Sequence, residues 1–373
     1  MARLQLYVRK LLIGSLLDIR LSFPTERYWK AQISLTNQNP VQVFCLHGIF
    51  ALNVQRFLYS VDNGARVCYN EGNFKGTAEP TGKEHVMKKL QVSATTNLLL
   101  RNAGQDAVSY VHDTLRFYRE CGFDTADFST MLLDLSSEEA WKPQVEQIKA
   151  DAEDFGFPFY MGHLPFMGGI SKSEEVMTAF KNKMHNAIDA AAALGIGYAV
   201  MHPNAANFPL VKYDHDEQRN ATLELLSPFV EHANRVGLNV IVENMRVQSG
   251  KMQCHRYCMT AEELCDLADT LGIGVCWDFG HAHLSGLKQS KALEYVGSRL
   301  KAVHVNDNGG IEDDHVLPFS GQVNWKDAMH GLALTGFDGP LNFELSVRAP
   351  ANLRRSHAMY VREIADELMS YIE

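Results

Sequence analysis

From Leu90 onward, apolar runs of four to seven residues, rich in β-branched and aromatic side chains, alternate with longer stretches whose apolar positions return every three to four residues. Strands buried on both faces read as near-continuous apolar segments, so this alternation marks βα units around a parallel sheet. Eight units are predicted. Their strands fall at Leu90 to Ala94, Thr125 to Ser129, Phe157 to Met161, Tyr198 to Met201, Val240 to Val242, Val275 to Trp277, Ala302 to Val305 and Leu341 to Phe343. Helical patterns include Asp106 to Glu120, Glu174 to Leu194, Leu223 to Arg235, Ala261 to Leu271 and Arg354 to Tyr371. Thr260 precedes Ala261-Glu262-Glu263, where a hydroxyl can cap exposed N–H groups and acids favour the positive helix end. Gly122, Gly195, Gly237 and Gly272 follow helical stretches, where the chain turns through positive φ. Eight strand and helix pairs define an α/β chain of the (β/α)8 TIM-barrel type, whose chemistry gathers at the carboxyl ends of the strands.

Residues 1–86 lack this alternation and mix basic, aromatic and Asn/Gly-rich patches, reaching the rest through the polar stretch Gly72 to Lys83. Met87-Lys88-Lys89 reads like an ordinary bacterial start running into the first strand. Lys83-Glu84 could be encoded by a purine-rich ribosome-binding sequence. The expected organisation is an N-terminal extension over 1–86, either mis-translated upstream sequence, a disordered segment or a genuine accessory one, and a catalytic barrel over 87–373.

With 373 residues and 46% hydrophobic content, the chain can bury a large core, and since an α/β barrel of this length often forms one domain, a second large domain is not required. The first 86 residues hold ten Lys/Arg against six Asp/Glu, which leaves 25 against 38 in residues 87–373, a net −13. Nucleic-acid affinity rests on phosphate neutralisation by a basic surface, so no nucleic-acid partner is expected. Seven cysteines without a repeated framework point to a reducing compartment, with the cytoplasm as the default. Cys254, His255, Cys258 and Cys265 lack the second paired set of a zinc finger, and buried thiols are the better reading. No run approaches the ~18 apolar residues of a membrane span; Leu11 to Leu17 is closed by Asp18 and Arg20, and no cleavage pattern follows it.

Chemistry enters at the ends of the runs. Six of them end on His163, His202, Glu243, Asp278, His304 and Glu344, with His281, Asp313 and His315 close behind. Nitrogen and carboxylate ligands delivered one per strand build a closed cation site that no single helix or loop could make. Glu243, Asp278, His304 and Glu344 form a donor set suited to Mn²⁺, Mg²⁺, Co²⁺ or Zn²⁺, with an open position for substrate oxygens. Singly, each could cap or salt-bridge a neighbouring strand. Together at one mouth, the acids would repel one another without a cation. His163 and His202 could bind metal, bind substrate hydroxyls or satisfy backbone, and a working role is favoured for both. His281 follows Asp278 by three residues and is expected to function, whereas His283 fits a helix surface. Asp313 and His315 share a face if their segment is extended, and could hold a further metal or a substrate oxygen. His112, His185, His215, His232, His330 and His357 lie in helical or loop stretches with surface or core duty.

These residues carry a resemblance to a family. From about Leu90 to the C-terminus, the chain resembles the xylose-isomerase-like TIM-barrel superfamily, which holds sugar epimerases and isomerases and the endonuclease IV type of repair enzyme. The likeness rests on His163, His202-Pro203, Glu243-Asn244, Asp278-x-x-His281-Ala282, His304-x-Asn306-Asp307, Asp313-x-His315 with Gly321 and Trp325, and Glu344. In the epimerase branch it implies one divalent metal on Glu243, Asp278, His304 and Glu344, with His281 against substrate. In the endonuclease branch it implies three zinc ions on all nine positions. Pro318-Phe319-Ser320-Gly321 departs from the Pro-Gly-x-Gly usual after the Asp-x-His pair.

Proton removal beside a carbonyl needs a Lewis acid for the developing enediolate and a carboxylate within reach. The expected activity is therefore a metal-dependent sugar or sugar phosphate isomerase or epimerase. Glu243 and Glu344 exchange the proton, His281 is the third catalytic group, and His163, His202, Asp313 and His315 hold substrate. Trp277, Phe166 and Phe319 are candidates to wall the pocket, with core packing equally open to Trp277. The rivals are a zinc phosphodiesterase on abasic DNA, a lyase on keto-glycosides and a non-catalytic binder. The expected partner is a small sugar, with no membrane partner and a homo-oligomer left open.

Overall fold

A computed structural model describes residues 89–167, 173–203, 213–247, 254–346 and 350–372, together with strand backbone at 6–12, 15–22, 28–35, 41–46 and 208–209. The chain divides into two compact units, Met1–Glu84 and His85–Glu373. Within the first, four strands, Leu6–Leu12, Ser15–Ser22, Tyr28–Leu35 and Val41–Leu46, pair antiparallel in chain order. The linker stretch Gly72 to Lys83 and the Met87 start lie outside the described residues.

The second unit is a closed barrel. Its strands are β1 (Val92–Thr95), β2 (Thr125–Ser129), β3 (Phe159–His163), β4 (Tyr198–Met201), β5 (Val240–Glu243), β6 (Gly274–Asp278), β7 (Leu300–Val305) and β8 (Leu341–Phe343). Each pairs parallel with the next, and β8 pairs with β1, so the barrel presents no free edge. This is the eight-stranded α/β barrel expected from the periodicity. The strand expected at Phe157 to Met161 sits two residues later, and β6 runs on to include Asp278.

The helices around it are α1 (Ala107–Glu120), α2 (Glu138–Phe155), α3 (Glu174–Leu194), α4 (His215–Val236), α5 (Ala261–Leu271), α6 (Phe279–Leu284), α7 (Gln289–Val296), α8 (Trp325–Thr335) and α9 (Arg354–Met369). Asp106, Ser137, Ser173, Asp214 and Thr260 each accept the N–H three residues on, satisfying an orphan donor of the first turn. α3 and α4 end at Gly195 and Gly237, at φ +74° and +76°, a left-handed turn that glycine enters without Cβ strain. α4 starts eight residues before its periodicity does. Its first two turns bury Gln218 and Thr222 rather than large apolar side chains, so no apolar stripe marks them.

The barrel interior fixes the place of the chemistry. Met161, Val200, Ile241, Cys276 and Ala302, one from each of β3 to β7, fill a fully buried inner layer. Side chains alternate across a strand, so the next inward position lies two residues further on. Those positions are His163, His202, Glu243, Asp278 and His304.

Candidate metal centre

Four side chains converge above that layer. One ligand atom each from Glu243, Asp278, His304 and Glu344 lies within 4.8 Å of the others. His304 Nδ1 is 3.1 Å from Glu243 Oε1, 3.4 Å from Glu344 Oε2 and 3.9 Å from Asp278 Oδ2. His304, Asp278 and Glu243 are buried, while the Glu344 side chain keeps 22% exposure towards the mouth. Neither ring nitrogen of His304 finds a hydrogen-bond partner, nor does Glu243 Oε2, although all three atoms are buried. A buried polar atom left unpaired costs ~1–3 kcal/mol. Mutually facing imidazole and carboxylate atoms at contact distance without hydrogen-bond geometry fit a shared divalent cation.

The surrounding polar groups orient these ligands. Asp278 Oδ1 accepts the His281 N–H at 2.6 Å and Oδ2 accepts from Asn306 Nδ2 at 2.7 Å. Asn244 brackets the same residue, accepting its N–H at 2.6 Å and donating to its carbonyl at 3.0 Å. A Cβ on Gly280 would strike the Asn306 amide, so the tight start of α6 that delivers His281 needs glycine there. His281 Nδ1 lies 2.8 Å from the Asn244 carbonyl, which makes that nitrogen the donor and turns Nε2 towards Asp313, 3.5 Å away.

Besides a fully buried group of Asp127, His163 and His304, two further groups flank the first. His163, His202 and Glu243 share ligand atoms within 4.8 Å, with His202 Nε2 3.0 Å from Glu243 Oε2. His281, Asp313 and His315 form the other, with His315 Nε2 3.3 Å from Asp313 Oδ2. All nine residues singled out in the sequence therefore meet at one mouth. The reason foreseen for Asp313 and His315 differs, because their segment is not a strand: His315 sits at φ +46°. The loop is shaped instead by buried Asp307, whose carboxylate accepts the N–H groups of Asn308, Phe319 and Val323 and the Trp325 indole N–H. Phe319 takes φ +69° where the related pattern has glycine.

The charges follow from this crowding. Burial raises the pKa of Asp278, and Glu243 and Glu344 add to the rise against the opposing His281. Burial also disfavours the Glu243 carboxylate, but His304 and His202 outweigh it and keep the acid ionised. Asp313 is held well below the usual carboxylate range, since His281 and His315 overcome its burial. Burial works against the His163 and His315 cations, yet adjacent carboxylates push both up to about 10.

Sequence reasoning missed Asp127. This fully buried acid on β2 lies 3.0 Å from His163 Nδ1 and accepts from Asn342 Nδ2 at 3.1 Å. A charged residue on the inward face of an otherwise buried strand was the available signal. Arg246 was missed too; its Nε lies 2.8 Å from Asp313 Oδ2. Phe166 is 46% exposed and stacks on His202 at 4.5 Å, and Phe319 is 47% exposed. Trp277 is not a wall of the site: it is fully buried in the core, and its indole donates to Gln289 Oε1 at 3.2 Å. His283 corrects its surface assignment, being half-buried with an unpaired Nε2. Cys258 and Cys265 are buried free thiols, and among the described residues no cysteine joins a candidate metal group. No helix of the described residues is long and apolar enough to cross a membrane.

Known proteins resemble parts of this chain. Protein y4fM of Sinorhizobium fredii, itself uncharacterized, is 29% identical over 187 residues, 48% of this chain. The chain spans 58% of that relative's length and 62% of that of MJ1311 from Methanocaldococcus jannaschii. Fructoselysine 3-epimerase of Shigella flexneri is 22% identical over 216 residues, 54% of this chain and 72% of its own length. Among solved structures, a D-tagatose 3-epimerase-like protein superposes with a TM-score of 0.59 at 20% identity, covering 76% of this chain and 98% of its own. The apo form of 3-keto-D-glucoside 4-epimerase YcjR from E. coli gives 0.56 at 18% identity, covering 74% and 100%. Both likenesses bear on the fold. The model of the xylose isomerase-like TIM barrel family matches residues 115–364, more than half of the sequence and all of the candidate site, and the chain belongs to that family.

Proposed function

We propose that this barrel is a divalent-metal-dependent sugar epimerase or isomerase, acting by proton transfer at a carbon beside a carbonyl. The observation that carries the reading is the convergence of Glu243, Asp278, His304 and Glu344 around buried, unpaired ligand atoms. Glu243, Asp278, His304 and Glu344 would hold a Mn, Co, Mg or Zn ion, which would supply Lewis acidity to the substrate carbonyl. Glu243 ends β5 and Glu344 follows β8, three strands apart around the barrel, so the two carboxylates would reach a substrate carbon from different sides. One removes a proton and the other returns one. Return to the opposite face inverts the centre, and return to the adjacent carbon interconverts aldose and ketose. His281, fixed by the Asn244 carbonyl, and His163, fixed by Asp127, orient hydroxyls alongside His202, Asp313 and His315. Phe166 and Phe319 give the sugar an apolar wall. The names of the epimerase relatives favour a keto sugar.

A screen of keto sugars for deuterium uptake from heavy water, with elemental analysis of the same preparation, tests the proposal. Uptake with about one exchangeable metal per chain supports it. Unchanged turnover in Glu243→Gln and Glu344→Gln, with metal retained, would remove both as bases.

The three adjoining ligand groups favour a second reading, phosphodiester hydrolysis with three zinc ions. The pairing of Asp313 with Arg246 and the net −13 of residues 87–373 weigh against it. About three zinc ions per chain would favour it.

A further inference from the structure

Two guanidinium groups at the mouth are not used by the proton-transfer scheme. Arg246 stands three residues beyond Glu243, and Arg256 lies on the returning segment before α5. The two segments are tied together: Met245 N–H donates to the Cys258 carbonyl at 2.9 Å. The second segment is braced in turn, because Cys258, at φ +69°, donates its N–H to buried Glu263 at 3.0 Å. A non-glycine residue held in that region marks a turn fixed by its surroundings.

Arg246 spends its Nε on Asp313 and its Nη1 on the Val247 carbonyl at 3.4 Å, and with 21% side-chain exposure it leaves Nη2 available. Arg256 is half-buried, and its Nε is a buried donor without a hydrogen-bond partner. Among the described residues its guanidinium makes no ion pair, although it lies close enough to Arg246, Asp313 and Glu243 to feel their charges. Burial and the Arg246 charge both lower its pKa from the ordinary guanidinium value. A cation withdrawn from water beside a like charge, with an unfilled donor, is costly unless an anion completes it. Planar guanidinium forks match carboxylate and phosphate oxygens in geometry as well as charge.

We infer that Arg246 and Arg256 form an oxyanion subsite beside the metal cluster, so that the sugar taken by this barrel carries a phosphate or a carboxylate. The word sugar rests on the proposed activity; the subsite does not. Full-length protein with excess Mg²⁺ is titrated with inorganic phosphate and, separately, with D-glucuronate, reading the thermal midpoint against matched chloride. A saturable rise with either anion is expected, and which one acts identifies the oxyanion. Arg256→Gln should weaken that anion at least tenfold. Arg256→Lys, which keeps the charge and loses the fork, should fall between the two, and anion-free midpoints report whether each variant folds. Arg246→Gln gives an independent second test of the same loss. No saturable rise with either anion, or equal affinity in wild type and Arg256→Gln, overturns the subsite. Anion binding that depends on Arg256, without deuterium exchange on any keto sugar, would leave the subsite standing and sink the epimerase reading instead.

Discussion

Asp127 Oδ2 lies 3.0 Å from His163 Nδ1, and both residues are buried inside the barrel. The contact turns the His163 ring so that Nε2 faces Glu344 Oε1, 3.7 Å away. Asp127 is thus placed to orient His163. Asp127→Asn should lower turnover by ~10–100-fold, the usual cost of losing a carboxylate behind a working histidine. Metal content should be retained. Steady-state kinetics with metal analysis on the variant checks this, and an unchanged kcat would show that His163 needs no such partner.

Metal should stabilise the fold as well as serve catalysis. A cation bound only by the native cluster adds ~2.7 kcal/mol at a concentration of 100 Kd. The thermal midpoint of chelator-treated protein should therefore rise on adding Mn²⁺. Asp278→Asn should lose most of that rise, because Asp278 contributes one of the four converging ligand atoms. An equal rise in wild type and Asp278→Asn would place the ion elsewhere.

Away from the mouth, Glu263 predicts a pH effect. Its carboxylate accepts from the Tyr213 hydroxyl at 2.7 Å and the Cys258 N–H at 3.0 Å, and His255 Nε2 lies 2.9 Å away. Burial raises its pKa, but the His255 and Tyr213 contacts outweigh that and leave it lowered. A depressed folded value means stability that is fully present above the unfolded carboxyl value, ~4.3, and lost as pH falls through the folded one. Urea midpoints should drop more between pH 5 and pH 3 in wild type than in Glu263→Gln. Parallel curves would contradict this.

Deletion of residues 1–86 tests whether they are a working segment. Starting at Met87 keeps every barrel strand, since β1 begins at Val92. The shortened chain should melt within a few degrees of the full one and exchange deuterium equally well. Loss of folding or of exchange would show that the first 86 residues work with the barrel.

Much of the barrel was legible because a strand covered on both faces must be apolar along its whole length, as Val240-Ile241-Val242 is. Candidate ligands at strand ends could be read for the same reason: Glu243 and Asp278 interrupt such runs abruptly. Asp127 escaped notice because it lies in the middle of its strand, where an acid looks like an interruption rather than an ending. Arg246 sits in a loop with no periodicity, and only the fold brings it to Asp313. The first turns of α4 were hidden by Gln218 and Thr222, polar side chains buried where an apolar stripe would have announced a helix. The loop of Asp313 and His315 followed neither strand nor helix rules, since a single buried carboxylate, Asp307, ties it together.

Both oxygens of Asp278 are already tethered, one by the His281 amide and one by Asn306. An acid clamped at both ends does not swing freely between one-point and two-point attachment. An incoming ion must accept the spacing it finds. Calcium prefers many oxygens in a yielding shell, whereas smaller ions tolerate few ligands at set distances. If the four residues hold an ion, this clamp would tilt the centre away from calcium and towards smaller cations.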